Sequence, residues 1–364
     1  MASGGTEASS NWLAPLDGLR GASILMVLTA HVYSSDWPKL GGRHGVTIFF
    51  VLSGFLITRL LVQESRKKGR IDFAAFFVRR SFRLFPLYYF ILGVYALLIV
   101  GLNMHPNGRQ GFVQALPWYA VYLQEVPFFN WNGTSSVPFY QSWSLGIEEK
   151  FYLVWPFLAF KLLGSPAHRQ LAAALGVLLC SAAHFHHAGR YFFPYAAIFV
   201  GCYTALLDSD DAMRARMRAI FSGWGAALSL CGLGCLHVGA ILASDLTASI
   251  IDVLYPVGAA TLLLSSLSDP RLGKVLSRKT LVVLGQLSYG IYLTHLLVRQ
   301  VVERGFVKVG WAVPPGIVVY AGMLAGSVAV AWVLQRTLEG PLRERGRAIA
   351  AGLTSRARTP ALPG

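Results

Sequence analysis

Long apolar runs separated by short polar segments fill the chain from about residue 14 to residue 340. A helix that crosses a bilayer needs roughly 20 consecutive, mostly apolar residues. Ten stretches have that character: 16–34, 45–63, 84–103, 142–163, 170–187, 191–207, 220–240, 248–267, 281–302 and 315–336. The pattern predicts an all-α, polytopic membrane protein of about ten transmembrane helices. The fifth and sixth stretches are short and meet across His187-Ala188-Gly189-Arg190. Between the third and fourth lies the one long polar interruption, about 104–141. Its segment Leu116 to Phe129 is too short and too broken by proline to span, and is expected to be interfacial or re-entrant. Asn132-Gly133-Thr134 in the same segment has the form of a glycosylation sequon.

The basic residues orient the array. With the N-terminus in the cytoplasm, the inner segments collect about 22 Lys and Arg and the outer segments about 6, the asymmetry that retains loops inside. Both termini are therefore expected to be cytoplasmic. Residues 1–12 form a flexible cytoplasmic N-terminus without the basic stretch or cleavage site of a signal peptide, so the first apolar run is expected to stay as a span. Residues 13–340 form the ten-helix membrane domain and 341–364 a basic cytoplasmic tail.

Composition agrees with the pattern. Of 364 residues, 54% are hydrophobic and 13% charged, against about 25% charged in soluble domains. The net charge of +15 lies in the inter-helix segments, and no nucleic-acid module accompanies it, so nucleic acid is not an expected partner. The four cysteines lie inside apolar runs, where a disulfide framework has no use. Cys231 and Cys235 share a helical face, and His184, His186 and His187 cluster near the end of the fifth run. The cysteines read as buried packing residues and the histidines, with no carboxylate nearby in sequence, as interfacial, so no metal site is expected. The absence of an internal repeat weighs against a transporter built from duplicated halves.

Charged groups within the apolar runs carry the chemistry, because each costs at least ~2.5–3.5 kcal/mol at the centre of a span. The first run carries Asp17, Arg20 and His31. Arg20 and His31 are separated by about three helical turns, which predicts one shared face with the two side chains roughly 16 Å apart along the axis. An interfacial Asp17–Arg20 pair and a packing histidine would explain these residues singly. The fourth run, however, brings Glu148 and Glu149 to the same outer half. The ninth carries Ser288, Tyr292 and His295 on one face at i, i+4 and i+7. A histidine beside a carboxylate is the minimal equipment for taking a proton from a hydroxyl. Where the third span begins, Arg79-Arg80-Ser81-Phe82-Arg83 has two readings of equal weight: retention on the cytoplasmic side, or guanidinium groups for a polyphosphate ligand such as coenzyme A.

These pieces resemble the acyltransferase-3 family of membrane acyltransferases. The matching motifs are Leu16-Asp17-Gly18-Leu19-Arg20-Gly21 with His31, Phe49-Phe50-Val51-Leu52-Ser53-Gly54, and Arg80-x-x-Arg83-x-x-Pro86. They continue with Trp143-Ser144-Leu145 followed by Glu148-Glu149 and Phe151-Tyr152, then Ser288-Tyr289-x-x-Tyr292-Leu293-x-His295. The resemblance spans about 14 to 340 with all five motifs in order. It implies an enzyme of the plasma (bacterial inner) membrane that passes an acyl group, commonly acetyl, from cytoplasmic acyl-CoA to a hydroxyl of a carbohydrate or other acceptor. No permanently bound cofactor is implied. His31 becomes the general base, Arg20 its motif partner, and Glu148 the group that orients or charge-stabilises His31. Arg80 and Arg83 become acyl-CoA contacts, and Phe49, Phe50, Ser53 and Gly54 the wall of an acyl tunnel. Asp17, Glu149, Trp143, Ser288, Tyr292 and His295 complete the candidate set. Some relatives carry a further extracytoplasmic domain, and this chain is expected to act alone or with a separate partner. Direct transfer is the favoured route, with an acyl-enzyme on Ser53 or Ser288 the alternative. An antibiotic or lipid acceptor and a non-catalytic transporter are the competing readings of function.

Overall fold

The computed structural model describes residues 14–32, 37, 40–130, 137–185, 189–310 and 315–356, and among these there is no strand. The chain runs through α1 (Ala14–Thr29), α2 (Arg43–Lys68), α3 (Phe73–Ala96), α4 (Pro106–Ala120), α5 (Glu125–Asn130) and α6 (Trp143–Phe157). It continues with α7 (Pro166–His184), α8 (Gly189–Ser209), α9 (Asp211–Ile220), α10 (Trp224–Leu242) and α11 (Asp245–Ser268). Last come α12 (Pro270–Leu276), α13 (Lys279–Lys308), α14 (Gly316–Leu334) and α15 (Gly340–Arg356).

Seven helices are long and apolar enough to cross a membrane: those over 43–68, 73–101, 191–209, 224–242, 246–268, 279–308 and 316–354. The other three expected spans are helical too, as α1, α6 and α7. Helix α1 is 16 residues long, and α6 is interrupted by Glu148-Glu149-Lys150, so neither reads as a span on length and hydropathy alone. Helix α3 starts at Phe73, well before the expected 84, because Asp72 caps it by accepting the Ala75 amide at 2.9 Å. That bond holds the Asp72 carboxyl below the usual carboxylate range. The sequon at 132–134, and His186 and His187, lie outside the described residues.

The expected interfacial segment is built into the bundle. Phe112, Ala115 and Tyr119 of α4 are buried in one apolar cluster with Tyr88, Ile91 and Tyr95 of α3. Tyr88 Oη donates to the Tyr119 carbonyl at 2.8 Å. Tyr122 turns the chain with φ of 60°, and Gln124 and Glu125 then point inward, Glu125 pairing with Lys150 of α6.

Three π turns, Leu97–Gly101, Leu158–Leu162 and Gln335–Glu339, extend α3, α6 and α14. The third joins α14 to α15 without a break, so the helix continues past the last expected span and packs along α3. Gly346 meets the Phe82 side chain, and the Thr354 hydroxyl donates to Asp72 Oδ2 at 2.9 Å.

Two crossings are close enough to require glycine. Where α1 meets α13, a methyl group on Gly21 would strike the Leu281 carbonyl, and one on Gly285 would strike the Asp17 carbonyl. Where α2 meets α8, Gly54 faces the Ile198 carbonyl and Gly201 faces that of Val51. Small residues at such crossings let membrane helices approach backbone to backbone. Gly54→Val is therefore expected to cost more than about 3 kcal/mol, the upper end for overpacking. The check is loss of the monodisperse peak in detergent size-exclusion after a mild heat step. Wild-type behaviour would overturn this packing role.

Candidate active site

Helix α1 ends before its histidine. Ala30 N–H bonds to Val27 O at 3.2 Å and His31 N–H to Leu28 O at 3.1 Å, so the chain tightens into a turn and His31 stands just past the helix. His31 thus stands on a tightened turn where an unbroken helix was expected. His31 Nδ1 lies 2.9 Å from the Val27 carbonyl. A carbonyl only accepts, so Nδ1 carries the hydrogen and the neutral ring keeps its lone pair on Nε2. Arg299 Nη1 donates to the His31 carbonyl at 3.1 Å, holding the turn from the α13 side.

His295, fully buried on α13, meets His31 edge-on with ring centroids 4.7 Å apart. Its Nδ1 likewise faces a carbonyl, that of Tyr292, at 2.7 Å. The ring of Tyr140 lies 6.1 Å from that of His31.

A cavity of about 50 Å³ opens one layer deeper, lined by Arg20, Val46, Phe49, Ser53, Ser144, Leu145, Glu148, Ser288, Tyr289 and Tyr292. Helices α1, α2, α6 and α13 each contribute, which is why motifs so far apart in sequence belong together. Tyr292 closes the side toward the histidines. Its hydroxyl donates to the Gln141 carbonyl and lies 2.7 Å from Ser144 Oγ, while its ring stands 5.9 Å from that of His295. On the opposite side Glu148 accepts from Tyr152 Oη at 3.1 Å, and the Arg80 guanidinium stacks over the Tyr152 ring at 3.3 Å. Arg20 and Arg80 both lie in electrostatic range of the Glu148 carboxylate.

Six of the candidate residues therefore share one cavity: Arg20, Phe49, Ser53, Glu148, Ser288 and Tyr292. Others are placed differently. Gly54 admits helix α8 where an acyl tunnel was expected, and Phe50 is buried against Trp143 with centroids 6.0 Å apart, away from the cavity. Trp143 itself stacks on Phe128 at 5.0 Å. Asp17 turns to Gln286, whose amide lies 3.5 Å away, and Glu149 faces Arg80 and Arg83. The expected contact of Glu148 with His31 does not form among the described residues. The reason is helical rise: Glu148 lines the cavity beside Arg20, and His31 lies eleven residues further along, roughly 16 Å, against His295.

Sequence reasoning missed Arg299 and Gln141 as members of this region and gave the motif residue Tyr152 no role. Arg299 had a signal: it continues the face of Ser288, Tyr292 and His295 by one more turn and is a charge within a span. Tyr152 stood four residues after Glu148, the spacing of a same-face pair.

Helices of this length and hydropathy, closed around a buried charged cavity, define a polytopic α-helical integral membrane protein. The family model described as an acyltransferase domain matches residues 13–336. The chain belongs to the acyltransferase-3 family.

Among curated relatives, the O-acetyltransferase OatA of Staphylococcus aureus (strain NCTC 8325 / PS 47) is 26% identical over 93% of this chain and 58% of its own length. The peptidoglycan O-acetyltransferase OatA of Listeria monocytogenes is 27% identical over 94% of this chain and 57% of its own. The putative peptidoglycan O-acetyltransferase YrhL of Bacillus subtilis is 30% identical over 78% and 48%. The chain thus spans about half to three-fifths of the length of these relatives. No solved structure matches.

Proposed function

We propose that this chain is a membrane O-acetyltransferase that moves an acetyl group from acyl-CoA to a hydroxyl of a carbohydrate, with peptidoglycan the acceptor the relatives' names favour. The observation that carries this reading is the layered arrangement itself. Arginine and carboxylate groups flank one side of a cavity, and a histidine with its Nε2 lone pair set by a backbone carbonyl lies on the other. Ten spans with both ends in the cytoplasm, in the plasma (bacterial inner) membrane, place the arginine side inward and His31 outward, so donor and acceptor approach from opposite faces.

In the reaction His31 Nε2 takes the proton of the acceptor hydroxyl as its oxygen attacks the thioester carbonyl. The new C–O ester bond forms, the C–S bond breaks, and the proton passes from the imidazolium to the departing thiolate. The Val27 carbonyl on Nδ1–H stabilises the imidazolium, the role that a carboxylate fills in hydrolase triads. Glu148 works on the donor side, where it steadies Arg20 and Arg80. Phe49, Ser53 and Ser288 shape the space for the acyl group.

The test is transfer of radiolabelled acetyl from acetyl-CoA to peptidoglycan fragments by the purified protein in liposomes. Label in the glycan, with thiol release that depends on glycan, is the expected result. No thiol release with any hydroxyl acceptor would overturn the transferase reading. Release with a lipid or antibiotic acceptor alone would overturn the peptidoglycan assignment.

A further inference from the structure

Four guanidinium groups from three helices share one neighbourhood on the donor side of the cavity: Arg20 of α1, Arg80 and Arg83 of α3, and Arg343 of α15. The Nε of Arg20, of Arg80 and of Arg343 is buried without a hydrogen-bond partner. Among the described residues none of the four forms an ion pair within 4.0 Å, although Glu148, Glu149 and Glu339 stand in electrostatic range. Buried guanidinium N–H groups are normally paired, and leaving them unmade is costly. Several such groups, gathered but unpaired, suit an incoming anion that carries more than one charge. Phosphate groups match the fork of N–H donors that arginine presents.

Arg343 and Glu339 reach this place for a readable reason. Helix α15 runs antiparallel to α3, with Gly346 on Phe82 and Thr354 on Asp72 fixing the register, so Arg343 comes level with the Arg83 turn. The π turn Gln335–Glu339 precedes it, and the extra residue such a turn inserts rotates all that follows by about 100°. Glu339, only 7% exposed, is thereby set against Arg20, Arg83 and Arg343. Both residues lie beyond residue 336, where the family match ends.

We infer that Arg343 of α15 completes a phosphate-binding site with Arg20, Arg80 and Arg83, and that this site selects a phosphorylated acyl carrier over its unphosphorylated arm. Glu339 is the buried counter-charge that lets the four cations gather before the anion arrives. The identity of the carrier as acyl-CoA rests on the proposed function. The site itself stands on the buried, unpartnered Nε groups of Arg20, Arg80 and Arg343.

The test is equilibrium binding of CoA, 3′-dephospho-CoA and pantetheine to the full chain in lipid nanodiscs. Wild type is expected to hold CoA more tightly than pantetheine. Arg343→Ala should weaken CoA roughly 10- to 100-fold, the loss typical of a charge-assisted contact, with pantetheine unaffected. Arg343→Lys should recover part of the loss, which a misfolded protein would not. Arg347→Ala, at an exposed position one turn further along the helix, should bind like wild type. Unchanged CoA affinity in Arg343→Ala, or an equal loss for CoA and pantetheine, overturns the inference. So does a wild type that binds neither or binds both alike. A wild type that binds CoA selectively but transfers no acetyl group would sink the transferase reading and leave this site standing.

Discussion

His31→Ala should lower acceptor-dependent acetyl transfer by about 10²- to 10⁴-fold, the usual contribution of a positioned general base. CoA affinity should stay within about twofold, because the imidazole lies beyond Tyr292 from the arginine side of the cavity. The argument rests on the tautomer. With Nδ1 committed to the Val27 carbonyl at 2.9 Å, only Nε2 can accept a proton, and the turn at 30–31 decides where it points. His31→Gln keeps a polar group of similar reach but supplies no base, so it should be as impaired as alanine. Single-turnover thiol release at saturating donor and acceptor makes the comparison. A His31→Ala enzyme retaining more than about a tenth of the wild-type rate would remove His31 from the chemistry, because the general-base contribution starts near a hundredfold.

The sequence revealed most where one residue type has one physical use. Apolar runs of spanning length became helices, and the charges Arg20 of α1 and Glu148 of α6 came together with the hydroxyl groups of α13 around one cavity, because charge in hydrocarbon is retained only with a partner or a purpose. Motif glycines were ambiguous. Gly54 reads equally as room for an acyl chain or for a neighbouring helix, and only the approach of Ile198 decides for the helix. Helix ends were less legible still. Nothing in Leu28-Thr29-Ala30-His31 announces a tightened last turn, yet the helix stops short of the imidazole, which packs on His295. The three π turns follow no residue code either, since they express packing between helices distant in sequence. Without the turn at 335–339, the basic segment after the last expected span reads as a tail. With it, the segment becomes a helix docked on α3 that delivers Glu339 and Arg343 to the arginine cluster.

Arg299→Met should reduce transfer by roughly 10- to 100-fold while leaving CoA affinity unchanged. The side chain is only 8% exposed, and its Nη1 bond to the His31 carbonyl at 3.1 Å ties the histidine turn to α13. Methionine preserves most of the buried aliphatic volume and removes the donor. Loss of a hydrogen bond made by a charged group costs about 1.5–3 kcal/mol, which sets the expected range. That energy appears in the rate because a turn free to shift by an ångström misplaces Nε2 relative to the thioester. Arg299→Lys should recover part of the activity, since an ammonium can reach the same carbonyl without the guanidinium fork. Glu303→Gln should cost far less. Its oxygen lies 3.6 Å from Arg299 Nε and its side chain is 32% exposed, so solvent screens the pair. The decisive comparison is the maximal rate against the KM for donor, measured alongside thermal stability in the same lipid. A fall in rate at constant KM and nearly constant stability identifies a residue that positions His31. A loss of rate that merely follows loss of folded protein would reduce Arg299 to a packing element.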